Sequence, residues 1–176
     1  MNKVFGLTKD YDHLRSEATR VVICYGREKA DENNSTWYEV PLSHKQHNIV
    51  GLQQVKEAII ADINDQTDEK ILKGFVWNNI SVWMSAENQR NFSEAQRMAE
   101  KYGSNVLPLT FKLGEADDGT PVYHTFETVE ELDGFYVQAF SYVNQCLTEG
   151  WQRKDAIDWS PYEKALSAVE SNVSEE

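Results

Sequence analysis

The chain is poor in several things at once, and each shortage excludes something. No stretch approaches the ~20 consecutive apolar residues that cross a bilayer, so a membrane partner is not expected. Basic residues number 17 against 29 acidic ones, for a formal net charge of −12. Every phosphate contact of a nucleic-acid binder needs a cation, so no nucleic-acid partner is expected either. There are two cysteines, Cys24 and Cys146, distant in sequence and outside any C-x-x-C pair, which excludes a disulfide-stapled scaffold. The opening residues, MNKVFGLTKDYDHLRSEATR, lack the apolar core and small-residue cleavage site of a secretory signal. Synthesis in a reducing, intracellular setting is the expectation, compatible with later release in a particle. Phosphate-binding G-x-x-x-x-G-K-[ST], dinucleotide-binding G-x-G-x-x-G and zinc-binding H-E-x-x-H are absent, as are repeats, low-complexity blocks and Gly/Ser-rich linkers.

What is present is an ordinary globular composition: 176 residues, 40% hydrophobic and 26% charged, enough to bury one respectable core. The first twenty residues read as an arm, with Thr8 or Asp10 capping a short helical turn that carries Tyr11 and Leu14. RVVICYG (20–26) and TWYEVPL (36–42) read as a strand pair around a charged, mobile turn, REKADENNS. Pro41 cannot donate to a ladder, which places the second strand at an edge or ends it there. From Ile49 the period lengthens. Leu52, Val55, Ile59 and Ile63, widened by Ala58 and Ile60, predict an amphipathic helix that gives out near NDQTDEK (64–70).

The most legible stretch is GFVWNNISVWMSAENQRNF (74–92). Asn78-Asn79 suits a two-residue turn that needs positive φ at both positions, which sets Trp77 opposite Ile80 and Phe75 opposite Val82. Gly74 is then expected opposite Trp83, with the indole covering the glycine backbone. Ser85 is a natural N-cap for a helix with Phe92, Ala95, Met98, Ala99 and Tyr102 on its apolar face and Gly103 at its stop. NVLPLTFKLG (105–114) and PVYHTF (121–126) flank the turn signal Asp118-Gly119. Thr128 and Glu131 form a capping box for the longest helix, whose stripe is Val129, Leu132, Tyr136, Ala139, Phe140, Val143, Cys146 and Leu147. Gly150 lies near its expected end, with Trp151 and Ile157 as an extension. SPYE restarts a helix, with Ser160 as cap, Pro161 at the first helical position and Glu163 closing a second box.

Strand pairs joined by turns alternate with helices, so the expected class is α+β, antiparallel hairpins with a long amphipathic C-terminal helix packed on the sheet. The expected organisation is an N-terminal arm and hairpin (1–48), a helix/hairpin/helix/hairpin/helix core (49–158), and a short C-terminal helix with its tail (159–176).

The search for chemistry is mostly negative. His44 and His47 form H-x-x-H, but no nearby residue completes a metal set, and solvent-exposed histidines are the plainer reading. His124 with Cys146 and an acid could be drawn as a thiol triad, yet Cys146 falls on an apolar helical stripe, where cysteine acts as a small hydrophobe. EADDGTP lacks the alternating oxygens and distal glutamate of a calcium loop. No catalytic, cofactor-binding or metal residue is assigned, and the chain is not expected to be an enzyme. Aromatic residues are the remaining lead. Trp37, Tyr38, Trp77, Trp83, Trp151 and Trp159 fall on strands or helix ends and are the candidate interface residues, because Trp and Tyr anchor protein contacts. The plainer alternative is that they fill space between sheet and helices.

The block from Val55 to Ile157 resembles a family of unassigned function encoded in phages and prophages, often near tail genes. The resemblance is carried by DINDQT, ILKGFVWNNISVWMSAENQRNF, LPLTFKL, YHTFETVEELDGFYVQAF and NQCLTEGWQRKDAI. The TWYEVPL and GFVWNN segments are similar to those of prophage proteins of gut Bacteroidetes. The resemblance supplies no catalytic residues. It implies a phage-encoded protein made in the bacterial host cytoplasm, open to incorporation into the virion, that forms part of, or assists, a tail or other virion assembly, with other phage proteins or itself, as a homo-oligomer, for partners. A second reading is an acidic phage effector that blocks a host nucleic-acid-binding or defence protein by charge mimicry.

Overall fold

The computed structural model describes residues 3–17, 20–43 and 50–173. The H-x-x-H histidines, His44 and His47, lie outside the described residues, as do the last three residues of the tail. The protein is α+β, with antiparallel sheets and a long helix late in the chain. Its contacts gather into two compact units, Met1–Asp65 with Gln152–Glu176, and Gln66–Trp151. This division cuts across the one expected from sequence, since both boundaries fall inside helices, where no linker composition could mark them.

The first unit is built on a four-stranded sheet of β1 (Lys3–Leu7), β2 (Leu14–Glu17), β3 (Arg20–Lys29) and β4 (Asn34–Ser43), in the order β1-β4-β3-β2. The expected arm is therefore part of the sheet. Thr8–Asp10 do form a helical turn, a 3-10 one without a side-chain cap. Thr8 spends its hydroxyl on Ser35 instead, 2.8 Å away. The turn expected to be mobile is short and knit, because Asp31 accepts from the backbone amides of Asn33 and Asn34, both at 2.8 Å. Nor is β4 an edge strand. It pairs with β1 over Asn34–Tyr38 on one side and with β3 from Ser35 to Ser43 on the other, so Pro41 lies past the reach of β1, where the strand has one neighbour only.

Central strand β3 is buried on both faces. Ile23 and Tyr25 meet Val55, Ile59 and Ile63 of helix α1 (Leu52–Gly74) and Tyr162 of helix α4 (Ser160–Val173). Val22 and Cys24 meet Trp37, Val4 and Tyr11 on the opposite face. The predicted stripe of α1 is thus right at Val55, Ile59 and Ile63, while Ile60 is exposed. The helix does not stop at NDQTDEK but runs on to Gly74. Its polar residues hold it: Gln66 is buried, Lys70 pairs with Glu149, and the Lys70 carbonyl accepts the Tyr142 hydroxyl at 2.8 Å.

The second unit holds β5 (Phe75–Trp77), β6 (Ile80–Val82), α2 (Ala86–Tyr102), β7 (Leu109–Glu115), β8 (Pro121–Phe126) and most of α3 (Val129–Asp155). The hairpin has the predicted register, Phe75 with Val82 and Trp77 with Ile80, and its asparagines take φ of 48° and 63°. Trp83 does not cover Gly74, which ends α1 against the Tyr142 hydroxyl; the indole lies near Gly114. Its backbone amide donates to the Leu113 carbonyl at 2.7 Å, joining the two hairpins. Ser85 caps α2 by accepting from the Asn88 amide at 3.1 Å, and Gly103, at φ 59°, ends it. Of the face predicted for α2, Tyr102 is exposed, its ring under Lys101.

The capping box of α3 forms in modified shape. Thr128 accepts from the Glu131 amide at 3.2 Å, and the Glu131 carboxylate reaches one residue further back, to the Glu127 amide. On α3 the stripe is displaced from the predicted one, for Phe135 is fully buried while Phe140 is 58% exposed. Phe135 touches Phe75, Trp77, Phe92 and Phe126 in edge-on or tilted packing, with centroids 4.9 to 6.1 Å apart. At the start of α4 the cap is Asp158 rather than Ser160. Its carboxylate accepts from both the amide and the hydroxyl of Ser160, at 3.0 and 2.7 Å.

Candidate functional site

Two places on the molecule are built differently from a filled core. The first is a cavity of about 440 Å³ in the first unit, within the size range of small-molecule sites. Its origin is a break in β3. Tyr25 pairs with Tyr38 and Glu28 with Thr36, so three steps on β3 match two on β4. The extra residue forms a bulge at Gly26, whose φ of +62° an L-residue rarely adopts and whose missing Cβ would sit 3.2 Å from the Tyr38 ring. A bulge bends its strand and re-aims side chains. Here it sets Tyr25, Gly26, Arg27 and Glu28 in succession on the cavity wall.

Tyrosines line much of the rest. Tyr11 and Tyr162 converge on one backbone carbonyl, that of Cys24, which accepts both hydroxyls at 3.2 and 2.8 Å. Tyr25 donates to Asp62 at 2.6 Å and stacks on Tyr38, centroids 5.3 Å apart. His13 stands edge-on to both Tyr11 and Tyr162, at 4.9 and 5.1 Å. Two guanidiniums lie over these rings: Arg27 over Tyr11 at 4.9 Å and Arg153 over Tyr38 at 5.3 Å. Ile63, Ala156, Ile157 and Pro161 give the helical wall an apolar character.

Burial governs the electrostatics around the cavity. Burial, foremost, pushes the Tyr11 and Tyr162 phenols above their ordinary range. Burial and the nearby Glu39 carboxylate push the Cys24 thiol up to about 11. Burial lowers His13, with Arg27 adding to the effect and Asp12 and Asp158 opposing it. The cavity lining therefore holds neutral phenols, a weakly basic imidazole, the guanidiniums of Arg27 and Arg153 and the carboxylates of Glu28 and Asp158. Among the described residues, no group of three or more His, Cys, Asp or Glu could hold a metal ion.

The second place is the outer side of α3 in the second unit. Val137 and Phe140 are 60% and 58% exposed, three residues apart and hence on one helical face. Beside Phe140 opens an apolar groove of about 160 Å³, lined by Met84, Phe92, Tyr136, Ala139 and Val143. The polar residues next to it are occupied locally. Gln89 donates to the Met84 carbonyl at 2.7 Å and Asn88 to the Trp83 carbonyl at 2.8 Å.

The six aromatic residues singled out by sequence are not brought together. Trp37, at 3% exposure, fills the sheet face beside Val22 and Cys24, its indole N–H donating to Glu39 at 3.1 Å. Trp77, at 5%, packs edge-on to His124 and Phe135 in the other unit. Both are core residues, because alternation turned them inward, and neither is available as a surface contact. Trp159 is half-buried on Tyr162 with Lys56 over its ring. Tyr38 alone of the six lines the cavity. Trp83 and Trp151 are exposed. His124 meets Glu131 at 2.8 Å rather than Cys146, which is buried in the core.

Sequence reasoning passed over Tyr11, Tyr25, Arg27, Arg153 and Tyr162. One local signal was present, a glycine followed by arginine directly after an apolar strand run, the mark of a bulge. The convergence from three distant segments had no sequence signal.

Neither a curated protein nor a solved structure matches the chain. Residues 54–172 match the model of a family described as a domain of unknown function, DUF4376. That span takes in the whole second unit, most of α1 and nearly all of α4, and leaves out the four-stranded sheet. The cavity thus has its helical wall inside the family's span and its sheet wall outside it. On this match, over more than half of its length, the chain belongs to the DUF4376 family.

Proposed function

We propose that the chain is a non-enzymatic structural or assembly protein of a phage or prophage particle, a tail component, another virion component or an assembly helper, acting through protein–protein contacts. The observation that carries the contact role is the unpaired apolar face of α3, Val137 and Phe140 beside the groove at Met84 and Tyr136. Large exposed apolar side chains clustered on one face mark contact surfaces more often than single ones do. The first partner expected is a second copy of the chain, since an apolar face can meet its own copy about a two-fold axis. The phage setting rests on the resemblance of the motifs between Val55 and Ile157.

The test is solution mass by light scattering across a concentration series, for the protein and for Phe140→Asp. The expected result is an oligomer of fixed stoichiometry that the aspartate dissociates, since a buried unpaired carboxylate is costly. A monomer at every concentration, together with absence from purified particles, overturns the proposal.

A further inference from the structure

We infer that the cavity of the first unit is a binding site for a small organic anion, a carboxylate- or phosphate-bearing molecule with an apolar body, whose anionic group is held by Arg27. The inference stands apart from the assembly reading and does not need it.

The geometry is that of a prepared cation. Arg27 is held by its face, over the Tyr11 ring, and among the described residues it has no carboxylate within ion-pair distance. A guanidinium held over a ring keeps its N–H fork for an oxyanion. The acids nearest the site are already engaged. Glu28 pairs with Lys3 at 3.4 Å, Asp158 receives Ser160, and Asp62 receives the Tyr25 hydroxyl. Arg153, over Tyr38, adds a second positive charge to the lining. In a chain of net charge −12, a lining in which Arg27 and Arg153 match Glu28 and Asp158 one for one is locally balanced in charge.

The bulge is the second, independent argument. β3 could have continued its pairing with β4 without Gly26, yet it takes a left-handed residue there and loses a ladder position. Glycine takes that conformation without strain, and bulges of this kind are over-represented beside functional sites, where they re-aim a side chain. The consequence here is that the residue after the glycine, Arg27, joins the cavity wall. The apolar helical wall at Ile63, Ala156, Ile157 and Pro161 then receives the body of the ligand, which inorganic phosphate lacks.

The test uses the full chain, titrated by calorimetry and by NMR of the His13 ring. The probes are adenosine monophosphate, indole-3-acetate and inorganic phosphate, with adenosine and indole as their neutral counterparts. At least one organic anion is expected to bind with Kd of about 1 mM or tighter, and its neutral counterpart and inorganic phosphate at least about ten-fold more weakly. The nucleotide and the carboxylate arms tell a phosphate ligand from a carboxylate one. Bound anion favours the imidazolium, so the His13 titration moves upward against the pull of Arg27, with Asp12 and Asp158 facing the same ring. Arg27→Gln, an exposed position that folding does not need, is expected to weaken binding about ten-fold or more. Arg90→Gln, an exposed arginine of the other unit, is expected to leave it unchanged. Binding of no organic anion, equal binding of a neutral counterpart, or equal affinity in Arg27→Gln and the parent overturns the inference.

Discussion

The two units spend their aromatic residues in opposite ways. In the second, Phe75, Trp77, Phe92, Phe126 and Phe135 close on one another in edge-on or tilted contacts around Phe135. In the first, Tyr11, Tyr25, Tyr38 and Tyr162 stand around an open cavity. The difference is one oxygen per ring. A phenyl ring buried among phenyl rings is satisfied by contact alone, whereas a tyrosine hydroxyl must find a partner and so keeps polar groups beside it. Three of the four tyrosines find theirs in the Cys24 carbonyl and Asp62. Tyr11, tied to the scaffold by its tip, leaves its ring to carry Arg27, while Arg153 lies over the ring of Tyr38.

The contrast can be broken most directly at Phe135. Phe135→Ala is expected to cost about 3–5 kcal/mol in chemical denaturation, because it empties the centre of a filled cluster. On the same helix, Phe140→Ala is expected to stay within about 0.5 kcal/mol of the parent. If the two losses were similar, the division of α3 into a buried and a contact face would fail.

Smaller effects sharpen both sides. Gly114→Ala would drive a methyl against the Ser81 carbonyl of the neighbouring strand, costing about 1–3 kcal/mol. Tyr25→Phe keeps the ring and removes only the hydroxyl donated to Asp62. A hydrogen bond to a charged group is worth about 1.5–3 kcal/mol, so a neutral outcome would show that the first unit does not depend on its phenol tips. Ser85→Ala, which removes the cap of α2, should cost about 1 kcal/mol.

The smallest effect is one of pH. His13 has its folded pKa lowered by burial, so below the ordinary value near ~6.5 the unfolded chain binds the proton more readily than the folded one. Its contribution is therefore fully present above about pH 6.5 and fades as pH falls toward the lowered value. Denaturation of the parent and of His13→Gln at pH 7.5 and 5.5 checks it, with the difference between the two proteins shrinking or reversing at the lower pH.

Much of the fold was legible because it is local. The Asn78-Asn79 turn with its register, the Ser85 cap, the Asp118-Gly119 hairpin and the buried row Val55, Ile59 and Ile63 each follow from residues within a few positions of one another. What misled was also local. The polar run NDQTDEK reads as a helix end, yet its residues face partners on α3, with Lys70 reaching Glu149 and Tyr142. Tyr136 and Phe135 fit a helical stripe about equally well, and the packing of β8 against α3 chose Phe135.

Composition, turn chemistry and helical period alone determined the α+β class, the antiparallel pairing and most of the helix starts, since these are set by backbone preferences and short-range capping. Only the tertiary structure decided which tryptophans are core, where the chain divides, and that Tyr11, Arg27, Arg153 and Tyr162 share one cavity. The reason is separation. Those residues come from segments more than a hundred positions apart, and no local preference carries information about which faces will meet.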